Sequence, residues 1–106
     1  MTETTLLPAA AFGRIVTTKR ISKELPAGLV RYLLSCHFAN NWGDLDPHDA
    51  GMNAEACNQG EGRICSSYKR PEADSAIWIH SFVSSDPADQ ANPDYCNTCV
   101  MFEEEY

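Results

Sequence analysis

Ala76-Ile-Trp-Ile-His-Ser-Phe82 is the stretch on which the fold turns. It is rich in β-branched and aromatic side chains and carries apolar residues on both faces, which is the pattern of a strand with neighbours on either side. Working outward, Arg63-Ile-Cys-Ser-Ser-Tyr68 precedes it as a strand, and Thr98-Cys-Val-Met-Phe102 follows as another. A polar loop over residues 69–75 containing Pro71 separates the first pair. A long loop over residues 83–97, with two prolines and three aspartates, separates the second.

The first half reads differently. Phe12-Gly-Arg-Ile-Val-Thr-Thr18 alternates partly and is β-rich, so it is predicted as a strand. Residues 19–24 suit a short helical turn. Pro26 followed by Leu29, Val30, Leu33, Leu34 and His37 or Phe38 marks one apolar face of a helix, ended at Asn40-Asn41. After the turn Trp42-Gly-Asp-Leu45, Asp46 is an N-cap for a helix from Pro47 to about Cys57, with Asp49 three residues on and Gly60 or Gly62 placed to close it. The indole N–H of Trp42 is expected to find a carbonyl. The predicted fold class is α+β: an antiparallel sheet of three to four strands with two helices packed on one face. Residues 1–10 read as a flexible tail and residues 11–106 as a single domain.

The cysteines suggest how so small a domain is held. A chain of 106 residues buries one modest core. In a simple meander of the last three strands, Cys57, Cys65, Cys96 and Cys99 arrive near one end of the sheet. Cys96-Asn-Thr-Cys99 is a Cys-x-x-Cys knuckle, so these four are the candidate ligands of a structural zinc, with His80 in reserve and Cys36 or His37 as further substitutes. Plain buried thiols and a redox Cys-x-x-Cys are the competing readings. A site closed by four thiolates leaves no position for water and no hydrolytic chemistry.

Charge bears on partners. The chain carries a net charge of −7 and is 43% hydrophobic and 22% charged, the balance of a folded domain rather than a disordered one. Such a chain repels nucleic acid on average and suits docking on a basic protein. Asp86, Asp89 and Asp94 in the long loop, and Glu103, Glu104 and Glu105 near the C-terminus, are the candidate partner-binding acids, with Tyr95, Phe102 or Tyr106 as anchors. The start of the chain lacks the basic and apolar regions of an export signal, and no apolar run approaches a membrane span, so a cytoplasmic protein is expected, monomeric or weakly self-associating. His48, next to the capping Asp49, reads as an exposed first-turn residue. Ser66-Ser67 lies in a strand rather than a nucleophile elbow.

Several of these segments carry a resemblance. Phe12 to Thr18, Leu33-Leu34 with His37, Trp42-Gly-Asp-Leu45 with Asp49 and Asn53, Arg63-Ile64, Ser66 to Tyr68, Ile77-Trp-Ile79 and the close from Thr98 to Tyr106 resemble a family of short "plasmid-related" proteins carried by plasmids, integrative elements and prophages. The long 83–97 segment and the cysteines depart from that family's pattern. The resemblance implies a mobile-element setting and points to counter-defence: non-enzymatic inhibition of an RNA-guided nuclease such as Cas9, or of a restriction enzyme. The alternatives are a small enzyme or toxin using His37, His48 or His80, and an adaptor for another element-encoded protein.

Overall fold

The computed structural model describes residues 4, 6–7, 9–70, 75–84, 86–92 and 98–106. Its α+β architecture is built on a four-stranded sheet: β1 (Ile15–Thr17), β2 (Gly62–Tyr68), β3 (Ile77–Val83) and β4 (Thr98–Phe102), in the spatial order β1-β4-β3-β2. The last three strands form the expected antiparallel meander, and the strand carrying Trp78 and His80 is interior. The sheet as a whole is mixed, however, because β1 runs parallel to β4, with Val16 beside Cys99. Two strands and four helices separate β1 from β4 along the described chain, rather than a hairpin turn, so local pattern carried no signal of its direction.

Four helices are described: α1 (Lys19–Glu24), α2 (Ala27–Phe38), α3 (Pro47–Gln59) and α4 (Pro87–Ala91). The first three lie where spacing and caps placed them. Thr18 caps α1, and Asp46 caps α3 by accepting from the Asp49 backbone N–H at 2.8 Å. Gly60 closes α3 at φ 75°, and Asn40 leaves α2 at φ 62°, a conformation asparagine tolerates better than most residues. Two segments differ from expectation. The 12–18 strand is cut short because residues 9–12 form a 3-10 turn and Gly13 takes φ 69°. The 83–97 loop holds α4, started by Asp86 accepting from the Ala88 backbone N–H.

One sheet face is packed. Ile77, Ile79, Val100 and Phe102 join Ile21 of α1 and Leu33 of α2 in one apolar cluster, and Ile64 and Val83 join Phe12, Ala56 and Cys57 in another. Between the clusters runs a strip of buried polar side chains: Ser66, His37, Ser81 and Thr98. The Trp42 indole packs against the second cluster, but its N–H finds no partner among the described residues, contrary to expectation. Gly43, at φ 74°, runs beside Ser67 so closely that a Cβ would meet the Ser67 carbonyl oxygen.

That approach closes the β2 edge. The Ser67 N–H donates to the Trp42 carbonyl, and its carbonyl accepts from the Asp44 N–H. Two residues earlier, the buried Asn53 amide of α3 accepts from the Cys65 N–H at 3.1 Å and donates to its carbonyl at 2.7 Å. The outward backbone groups of Cys65 and Ser67 are therefore satisfied within the chain, which protects this stretch of the edge against pairing with another strand.

Candidate functional site

The opposite sheet face is the candidate site. Alternation along the strands places Arg63 and Cys65 of β2, Trp78, His80 and Phe82 of β3, Cys99 and Met101 of β4 and Val16 of β1 on it together. Among the described residues, Tyr106 lies across this face, and α3 with the 42–46 turn walls it on the β2 side. Tyr106 is 71% exposed and Phe82 58%.

At the centre is an aromatic shelf. The Tyr106 ring stacks on His80 with centroids 5.1 Å apart and planes 10° from parallel, and Trp78 leans on both at 5.5 and 5.3 Å. The Arg63 guanidinium donates to His80 Nδ1 at 2.8 Å and to the Tyr106 hydroxyl at 3.3 Å. Because guanidinium can only donate, Nδ1 must accept, and the neutral ring carries its proton on Nε2. Burial, followed by the Arg63 charge, lowers the His80 pKa to about 4, so the ring is neutral at pH 7. Nε2–H points at the Cys65 sulfur 4.0 Å away.

This arrangement does not pair Cys65 and His80 as nucleophile and base. A nucleophilic thiol needs a base with a free lone pair and a lowered pKa. Here Nε2 bears the proton, and burial raises the Cys65 pKa, with the Asp49 charge adding to the rise and Arg63 opposing it. A protonated Nε2 is likewise no metal ligand until it loses its proton.

The four-cysteine centre is not gathered by the described residues. Cys65 and Cys99 do flank His80 in register, as the meander required. Cys57 sits on the other side of the sheet, 1% exposed in the cluster around Phe12, Ile64 and Val83. The turn from α3 into β2 carries the chain across the sheet edge, which spacing along the sequence does not disclose. No three His, Cys, Asp or Glu side chains converge as a metal site among the described residues. Cys96 lies outside them.

His37, the other buried histidine, belongs to the packed face. The Thr98 hydroxyl donates to the Phe12 carbonyl at 2.6 Å, so it must accept from Ser81 at 2.8 Å. Ser81 then accepts from His37 Nε2–H at 2.8 Å, and His37 Nδ1 accepts from Ser66 at 2.5 Å. Each proton in the chain has one place, and the relay ties α2 to three strands. Burial lowers the His37 pKa to about 4. With no opening to solvent, it is a structural histidine. His48 is exposed on the first turn of α3.

The predicted partner-binding acids are mostly occupied locally. Asp86 caps α4 and Asp89 accepts from the Ser84 hydroxyl. Glu103 accepts from the Ala76 N–H, Glu104 pairs with Arg20 at 2.6 Å, and Glu105 accepts from Thr18 and from the Phe102 N–H. Asp94 and Tyr95 lie outside the described residues. Phe102 cannot anchor a partner: it is fully buried, with the guanidinium groups of Arg20 and Arg70 each about 4.5 Å from its ring centre. What sequence reasoning missed is the assembly of Arg63, Trp78, His80 and Tyr106. The shared face of Trp78, His80 and Phe82 was legible from alternation, but the return of Tyr106 across it was not.

Searches of family models, of curated proteins and of solved structures return no match to this chain. No helix among the described residues is long and apolar enough to cross a membrane.

Proposed function

We propose that this chain is a non-enzymatic binding domain that docks through its outer sheet face onto a basic protein. The observation that carries the reading is that face itself. It presents Val16, Phe82 and Tyr106, with 36%, 58% and 71% of their surfaces exposed, in a chain of net charge −7. Side by side, such groups supply buried anchors, and the chain's charge supplies attraction to a basic surface. The proton placement at Cys65 and His80 supports binding over turnover. The kind of partner, a host defence nuclease whose DNA-handling surface would be covered, rests on the resemblance to mobile-element proteins.

The test is inhibition of DNA cleavage in vitro by an RNA-guided nuclease and by a panel of restriction enzymes. Inhibition should saturate near equimolar chain, weaken with salt, and be lost in a Phe82→Asp/Met101→Asp double variant that melts like wild type. Reversing the acids at 86, 89, 94 and 103–105 separates the two surfaces. Loss of inhibition there, with the sheet-face variant unaffected, would move the interface to those acids and refute the sheet-face reading.

A further inference from the structure

The outer face is divided by Tyr106 into two hollows of different character. One, about 390 Å³, is walled by Val16, Phe82, Cys99 and Met101, with Arg63 as its charged group. The other, about 470 Å³, lies between the shelf and the start of α3. Its apolar walls are Trp78, Tyr106, Leu45 and Met52, and Asp44, Asp46 and Asp49 stand around it.

We infer that this second hollow receives one cationic side chain of the partner, an arginine or lysine, with its stem along Met52 and Leu45 and its charge between the aromatic rings and the aspartates. The inference rests on the docking reading above and names the contact that anchors it. Three observations carry it. Two aromatic rings meet at 59° with centroids 5.3 Å apart, giving a corner whose faces attract cations. The shelf already holds a guanidinium of its own chain, since Arg63 lies 5.7 Å from the Tyr106 ring centre. Three carboxylates against the single Arg63 charge leave the hollow net negative. Asp44 spends one oxygen on the Lys69 N–H and Asp46 one on its cap, while Asp49 is close enough to act on the Cys65 thiol at the floor. Apolar walls with an acidic rim suit a long side chain that is aliphatic along its stem and charged at its tip.

The experiment is NMR titration of the full chain with capped Gly-Arg-Gly peptide, its Gly-citrulline-Gly counterpart, which has nearly the same shape without charge, and capped Gly-Glu-Gly. The arginine peptide should shift the Trp78 indole N–H and the backbone amides of Asp46, Asp49 and Ser67. Citrulline and glutamate peptides should do so at least several-fold more weakly. Asp49→Asn, which leaves the backbone cap intact, should weaken arginine binding about two- to fivefold, and Tyr106→Leu should weaken it as well. Equal shifts from citrulline and arginine would overturn the assignment. So would arginine shifts centred on Val16, Phe82 and Met101, or none at all. In those cases the docking face is judged separately, by whether Phe82→Asp/Met101→Asp still abolishes nuclease inhibition.

Discussion

Acidification should unfold this protein through His37, and the size of the effect follows from its burial. In the unfolded chain a histidine titrates near 6.5; in the fold, His37 is held neutral down to about 4. Between those values the unfolded state binds a proton that the folded state does not. Stability is therefore fully present above pH 6.5 and falls as pH drops, until below 4 both states are protonated and the loss is complete. Integrating over this window, the His37 contribution lost between pH 8 and pH 5 is about 2 kcal/mol, a large part of the stability of a domain this size. The measurement is urea unfolding of wild type and His37→Gln at half-unit steps from pH 8 to 4.5. Glutamine keeps a donor and an acceptor for Ser81 and Ser66 but does not titrate. Wild type should lose about 2 kcal/mol more than the variant between pH 8 and pH 5. His80, with the same direction of shift, acts in both proteins and cancels in the difference. A difference between the two proteins that stays constant from pH 8 to 5 would refute the burial of a neutral His37.

Other consequences are as direct. Asn53→Ala removes both hydrogen bonds to the Cys65 backbone and should cost about 2 kcal/mol; because it also bares the β2 edge, light scattering should show self-association that wild type lacks. Gly43→Ala should cost about 1–3 kcal/mol from its positive φ alone, and more from the clash with the Ser67 carbonyl, seen as a lowered urea midpoint. Chelation by EDTA should leave the melting temperature unchanged, since Cys57 lies on the far side of the sheet from Cys65 and Cys99; a fall of several degrees, with zinc found in the native protein by mass spectrometry, would show that thiolates do gather around a metal.

The elements legible in the sequence are those whose signals are local. Asp46-Pro47 announces the start of α3 because a carboxylate can accept from a backbone N–H three residues on, whatever else the chain does. The interior place of β3 follows from apolar residues on both of its faces. The same alternation put Trp78, His80 and Phe82 on one side, which was half of the candidate site. Where the structure places a residue the sequence did not, as with Cys57, the deciding contact was remote in sequence. Cys57 and Cys65 are eight positions apart, yet a turn over the sheet edge separates them by the whole sheet.

Residue pattern and capping chemistry, then, determined three of the four described helices, three of the strands and the α+β class, because these depend on neighbours along the chain. Tertiary structure alone decided that β1 joins in parallel, that His37 threads a proton-ordered relay from Ser66 to Phe12, and that Tyr106 folds back over His80 and Arg63 to split the outer face. Each of these joins groups far apart in the chain, up to 86 positions in the case of Thr98 and Phe12. Which distant groups meet is settled by the packing of whole elements, and no local spacing encodes it.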